Sequence, residues 1–256
     1  MNKLHFITDL DRTIIHAKNK GFKCVEYMGV REITYMTDES YNEFLELLKE
    51  DEFEFIPCTM RNIKQTLRVD FIREYNPRAM ICTNGAQIYL NGKLDLIWNE
   101  KIKSLIDFNE VENQIEYIKG MNLIYQEIRN IEGFYVTIKC STKEEAKVCF
   151  DVLKDKFKVS INIMHIGVKI FIIDKKIDKI YAVDYLTNKL SIKNLYTAGD
   201  SMVDIEFTKR GKAVLPKHSS FRHESATVTS KEGIYSTEDL INYLKKELIY
   251  YKLTNR

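Results

Sequence analysis

The stretch Phe6-Ile7-Thr8-Asp9-Leu10-Asp11-Arg12-Thr13 is an apolar run that stops abruptly in two carboxylates and a hydroxyl. A short apolar run followed at once by Asp9 and Asp11 fits a buried strand whose end opens into a polar crevice. In a sheet with helices on both faces, ligands bind at such strand ends. Residues two apart in an extended chain point the same way, so Asp9 and Asp11 repel unless a cation, a shared proton or separation at the turn relieves them. Oxygen-only ligands favour magnesium, whose shell is completed by water and phosphate oxygens. The plainer alternative is that one aspartate caps the next segment while Thr13 closes a turn.

With 256 residues the chain can bury one large core, or a core plus a smaller domain. Hydrophobic residues at 45% and charged residues at 30% describe an ordinary soluble globular protein. A net charge of +2 leaves nucleic acid and a membrane surface neither favoured nor strictly excluded, and neither is expected as a partner. Cys24, Cys58, Cys82, Cys140 and Cys149 lack paired spacing, which suits a reducing cytoplasm and argues against a zinc site. No signal peptide is expected at the N-terminus, and no apolar run approaches the length of a membrane span.

Outward from the acidic corner, residues 14–37 read as a hairpin-like flap around Met28-Gly29. Thr37-Asp38 reads as a helix start, with Tyr41, Phe44, Leu45 and Leu48 on one face. A strand over 54–58 ends in Thr59-Met60-Arg61, and a helix over 63–75 is stopped by Asn76-Pro77. A strand over 79–82 runs into Thr83-Asn84-Gly85. This alternation predicts an α/β fold built on a doubly wound parallel sheet.

The rhythm then breaks. Strands over 87–90 and 94–98 flank Asn91-Gly92 as a hairpin. A helix over 108–119, strands over 123–128 and 134–139, a helix over 143–157, and strands over 159–164 and 168–173 follow as α-β-β-α-β-β. Antiparallel hairpins backed by helices make a compact α+β module inserted into the first domain. The first rhythm resumes with a helix over 179–189 and a short strand over 195–198 ending in Gly199-Asp200-Ser201. A helix over 203–209, strands over 213–215 and 227–229 and an amphipathic helix over 237–250 complete the chain.

Polar clusters thus fall at comparable places: Asp9 and Asp11 after the first strand, Thr59 after the second, Lys179 at a helix start, and Asp200 and Asp204 after a later strand. Parallel strand ends share one edge, so these positions converge and supply a nucleophile, a proton donor, a metal site and positive charge for phosphoryl oxygens. With Asp9-x-Asp11-x-Thr13, Thr59, Lys179 and Gly199-Asp200-x-x-x-Asp204 in this order, the chain resembles the haloacid dehalogenase (HAD) superfamily over essentially its whole length. Within that superfamily it resembles the Cof-like sugar-phosphatase branch, in which a C2-type cap is inserted after the third core strand. Thr83-Asn84-Gly85-Ala86 is similar to that branch's entry into the cap.

The resemblance implies a Rossmann-like catalytic core over 1–86 and 176–256 and an inserted cap over 87–175. It implies Asp9 as the nucleophile that becomes an aspartyl phosphate, and Asp11 as the acid and then base. Thr59 would bind a phosphoryl oxygen and Lys179 offset charge. Mg2+ would be held by Asp9, the backbone carbonyl of Asp11 and Asp200, with Asp204 as ligand or just behind. Arg12, Thr13, Arg61, Asn84, Gly85, His165 and Lys169 are candidates for contact with substrate.

Each residue also has a plainer reading. Lys179 shares its stretch with Lys176, Thr59 is placed to cap a helix, Asp204 suits a helix first turn, and Arg12 fits an exposed turn. Arg12, Met60 and Val203 depart from the branch's usual glycine, glycine and asparagine. The expected function is a magnesium-dependent phosphatase acting on a small phosphorylated metabolite such as a sugar phosphate. A sugar phosphomutase and a non-catalytic sensor of a phosphorylated ligand are the alternatives. Neither substrate nor oligomeric state follows from the sequence.

Overall fold

In the computed structural model, residues 3–17 and 20–254 are described. Strand β1 (Leu4–Thr8) leads into a small antiparallel flap sheet of β2 (His16–Ala17), β3 (Lys23–Met28) and β4 (Arg31–Met36), ordered β2-β4-β3. The expected flap is therefore present, apart from residues 18–19, which lie outside the described residues. Its tight turn falls at Gly29, whose φ of 62° is one that glycine adopts without a Cβ penalty. Helix α1 (Asp38–Leu48) starts where expected, with the Thr37 hydroxyl accepting from Ser40 N at 3.1 Å.

Strand β5 (Phe53–Pro57) follows, then α2 (Ile63–Thr66) and α3 (Asp70–Tyr75). The single helix expected over 63–75 is thus broken. Val69 is extended at φ −70° and ψ 122°, and its backbone bridges to Glu26 of β3, which a continuous helix would forbid. Next come β6 (Ala79–Cys82), β7 (Gln87–Leu90) and β8 (Lys93–Leu94), an antiparallel meander. The strand expected over 94–98 is overturned: after two residues of β8 the chain turns into α4 (Leu96–Leu105). Leu96 and Ile97, which carried the strand signal, are 67% and 71% exposed. Asp95 ends the hairpin, its carboxylate held by Lys189 at 2.7 Å and Tyr185 at 3.1 Å.

Helix α5 (Phe108–Lys119), β9 (Glu127–Ile131), β10 (Tyr135–Lys139), α6 (Lys143–Leu153), β11 (Ile161–Ile166) and β12 (Lys169–Asp174) keep the anticipated α-β-β-α-β-β order. They form an antiparallel sheet, β11-β12-β10-β9, with its own core. Val136, Ile138, Ile170 and Ile172 alternate along the central strands toward Val111, Ile115 and Ile118 of α5 and Ala146, Cys149 and Leu153 of α6. Leu123 and Tyr125, expected in a strand, pack on this core from the loop before β9.

The chain then returns through α7 (Lys179–Leu190), β13 (Asn194–Ala198), α8 (Ile205–Thr208), β14 (Lys212–Leu215), β15 (Thr227–Val228) and α9 (Ser236–Thr254). The main sheet is parallel, in the order β15-β14-β13-β1-β5. β6 continues it beyond β5 through the Cys58–Ile81 bridge. Helices α1 and α9 cover the core with Phe44, Leu47, Leu240, Leu244 and Leu248 against Phe6 and Phe55. Two compact units result: Met1–Asp95 with Lys179–Arg256, and Leu96–Asp178. The hairpin of β7 and β8 belongs to the larger unit because β7 pairs with β6 from Ala79↔Leu90 to Cys82↔Gln87. Among the described residues no helix is long and apolar enough to cross a membrane.

Candidate active site

β1 sits between two parallel neighbours, and the ladder carries one residue past it. Cys58 N donates to Thr8 O at 2.7 Å, and Asp9 N donates to Ala198 O at 3.0 Å. Asp9 is therefore fixed at the carboxyl end of the central strand, 5% exposed. Lys179, in the first turn of α7 and wholly buried, donates from Nζ to Asp9 Oδ1 and to Asp204 Oδ1, each at 2.7 Å. The alternative register on Lys176 is thereby set aside, since Lys176 Nζ instead donates to Leu105 O within the smaller unit.

Asp204 is fully engaged. Its Oδ2 accepts from Asp200 N at 3.1 Å, Ser201 N at 3.0 Å and Ser201 Oγ at 3.1 Å. It thus shapes the turn that carries Asp200, in addition to anchoring Lys179. Gly199 is required beside it, because a Cβ there would lie 2.4 Å from Asp204 Cβ. Ser220 N and Oγ hold the Asp200 carbonyl at 2.8 and 3.2 Å.

Carboxylate oxygens of Asp9, Asp200 and Asp204 lie within 4.8 Å of one another. Burial pushes the Asp9 carboxyl well above its usual value; Lys179 opposes this, while Asp204, Asp200 and Asp11 add to it. Burial alone would lower the Lys179 ammonium, but Asp204 and Asp9 outweigh it and hold it protonated. Asp200 is raised to about 7 by burial first, against the pull of Arg12 and with a push from Asp204. Three buried carboxylates thus share Lys179 and the half-exposed Arg12, whose Nε stands 3.2 Å from Asp200 Oδ2. That oxygen is buried and accepts no aligned hydrogen bond. An all-oxygen, charge-deficient cluster with an orphaned oxygen fits a hard divalent cation.

The remaining candidates of the larger unit gather at the same edge. The Thr59 hydroxyl accepts from Arg61 N at 3.2 Å. Thr59 O accepts from Asn84 N and Arg61 O from Thr83 N, so the turn through Asn84 and Gly85 is stitched to the end of β5. Asn84 is left-handed at φ 56° and nearly buried. Asp11 is gripped by Arg61 through two bonds of 2.7 Å. Arg12 is left-handed at φ 65°. His218 Nδ1 accepts from Gly233 N, so its Nε2 carries the proton and donates to Arg12 O at 2.8 Å. Thr13 is wholly buried inside the turn, where its carbonyl accepts from Thr237 Oγ1.

His165 and Lys169 belong to the smaller unit, on its β11–β12 hairpin. His165 stacks on Phe150 and contacts Gly167 O at 2.8 Å. Sequence reasoning overlooked Ser201, Ser220, His218, Glu26 and Arg68. Ser201 alone carried a local signal, as a residue placed to cap the turn that holds Asp204.

A parallel sheet with an acidic corner and a bridging lysine at its strand ends, interrupted by an α+β insertion, is the architecture of a HAD-superfamily phosphatase of the Cof-like kind. The chain belongs to the sucrose-6F-phosphate phosphohydrolase family, whose model matches residues 2–215. It is a phosphoric monoester hydrolase in that family. Among solved structures it is similar to the sucrose-phosphatase from Synechocystis in complex with sucrose and phosphate, at 13% identity and a TM-score of 0.65 over 96% of this chain and 99% of that one. A HAD/COF-like hydrolase from Plasmodium vivax matches at 16% identity and a TM-score of 0.68, covering 94% and 96% of the two chains. A haloacid dehalogenase-like hydrolase from B. subtilis matches at 13% identity and 0.62, covering 94% and 99%. These likenesses are of fold. A search of the curated proteins found no match.

Proposed function

We propose that this chain hydrolyses the monophosphate ester of a small sugar by way of an aspartyl phosphate, with Mg2+ as cofactor. The observation that carries this reading is Lys179 Nζ, buried and held at 2.7 Å from both Asp9 and Asp204. A cation so placed orients the Asp9 carboxylate and opposes the burial that raises its pKa, and leaves Oδ2, which accepts no hydrogen bond from the described residues, to attack phosphorus. In the first step the Asp9–phosphorus bond forms, the phosphorus–sugar oxygen bond breaks, and Asp11 gives its proton to the leaving alkoxide. In the second, water attacks phosphorus, Asp11 takes its proton, and phosphate and free Asp9 result.

The Thr59 hydroxyl, whose hydrogen meets no acceptor among the described residues, donates to a phosphoryl oxygen. Asp9, the Asp11 carbonyl and Asp200 would hold the metal, with Asp204 behind them; bound Mg2+ supplies positive charge for the phosphoryl oxygens. Asn84, Gly85, Thr13 and Arg12 shape the walls, and the inserted unit, through residues such as His165 and Lys169, selects the leaving group as a cap. The five cysteines, all free and buried, suit a cytoplasmic enzyme.

The test is phosphate release from sucrose 6F-phosphate, hexose phosphates, nucleotides and cofactor phosphates, with magnesium and with chelator. Turnover of a sugar phosphate is expected, abolished by chelation and lowered on the order of 10⁴-fold in Asp9→Asn. Undiminished turnover in Asp9→Asn would remove the covalent mechanism, and preference for a nucleotide would remove the sugar.

A further inference from the structure

Strand β3 of the flap carries a wholly buried carboxylate, Glu26, that the chemistry above does not use. Its Oε1 accepts from Arg68, Nε at 2.9 Å and Nη2 at 2.8 Å. Its Oε2 accepts from the Thr34 hydroxyl at 3.1 Å and from Arg61 Nη1 at 2.9 Å. The rest of the Arg61 fork grips Asp11, Nε on Oδ2 and Nη2 on Oδ1, both at 2.7 Å. Charges therefore alternate through Arg68, Glu26, Arg61 and Asp11, passing through the wholly buried Glu26 to an Asp11 side chain 51% exposed.

Burying the Glu26 charge is costly, and an apolar residue would fill the same space at less expense to the fold. Docking of the flap is already served by the Glu26–Val69 backbone bridge and the Arg68 pair. What the third member adds is orientation. A guanidinium is a rigid plane, so an acceptor fixed on Nη1 sets the direction in which Nε and Nη2 point. We propose that Glu26 is a positioning residue for proton transfer: by holding Arg61 it fixes the Asp11 carboxylate, so that flap and acid-base group form one rigid piece. The proposal rests on the role given to Asp11 above.

The test compares the sugar phosphate turned over fastest in the panel with 4-nitrophenyl phosphate, whose phenolate leaves without needing a proton. Because Asp11 also serves the hydrolysis step common to both esters, the first step is followed as leaving-group release in a single turnover with enzyme in excess. Glu26→Gln is expected to slow that release by about 10- to 100-fold with the sugar phosphate and far less with the aryl ester. In an Asp11→Asn background the same substitution should cost nothing further, because its effect runs through Asp11. Equal losses on both esters, or additive losses in the double variant, overturn the proposal. Asp11→Asn as active as the parent enzyme removes the Asp11 reading itself, and the proposal with it. Glu26→Asp is the second variant if Glu26→Gln fails to fold. It keeps the charge with a shorter reach, and the same split between esters is expected at smaller amplitude; no split overturns the proposal.

Discussion

Gly199 illustrates how a residue without a side chain builds the site. Its backbone passes so close to Asp204 that a Cβ would stand 2.4 Å from Asp204 Cβ and 2.8 Å from Cγ. Asp204 cannot retreat, because its oxygens are tied to Lys179, Asp200 N and Ser201. Gly199→Ala is therefore expected to cost about 1–3 kcal/mol of stability, as overpacked cores do. It should also weaken magnesium binding, because Asp200 is the next residue. Urea unfolding and a magnesium titration followed by calorimetry check both; a variant as stable as the parent with unchanged affinity would contradict the close packing. At this scale the acidic residues were legible in the sequence because each stands at the end of an apolar run. Glu26 was not, since one glutamate in an alternating strand looks like any solvent-facing residue until Arg61 and Arg68 arrive from far along the chain. Nor was His218, which links Gly233 N to the carbonyl of Arg12.

Elements were legible where periodicity and punctuation agreed, as in α1 with its Thr37 cap or the alternating β10 and β12. They failed where a tertiary contact overrode local pattern. The run 63–75 has helical spacing throughout, yet Val69 leaves the helix to pair with the flap. Leu96 and Ile97 suggested a strand by composition, but a strand needs a partner edge, and β7 is paired with β8 only through Leu94. The end of α3 is a place where local rules hold. Asn76 closes it in the left-handed region at φ 51°, and its N–H donates to Ile72 O. Asn76→Ala is expected to destabilise the protein by about 1–2 kcal/mol, whereas Asn76→Gly should be near neutral. Thermal unfolding of the two variants side by side checks the sign; equal midpoints would show that the left-handed cap carries no cost here.

Among the described residues, the main hydrophobic core of the larger unit and that of the smaller unit share no residue. One surrounds Phe6, Phe44 and Phe55, the other Val136, Ile138 and Ile172. The inserted order α-β-β-α-β-β was readable because each element of the smaller unit is amphipathic on its own, whereas the edges of the unit were not, there being no linker composition to mark them. Separate cores imply separate opening reactions, since local stability follows the contacts each unit buries. The candidate metal ligands Asp9, Asp200 and Asp204 all belong to the larger unit. A cation that binds only the folded form stabilises what it binds, by about 2.7 kcal/mol at a concentration 100 times its dissociation constant. Saturating magnesium should therefore slow amide hydrogen exchange in β1 and β13 and leave β10 and β12 of the smaller unit unchanged. Asp200→Asn should abolish the difference. Equal slowing in both sheets would show that the units open together, and no slowing in β1 would remove the metal from the acidic corner.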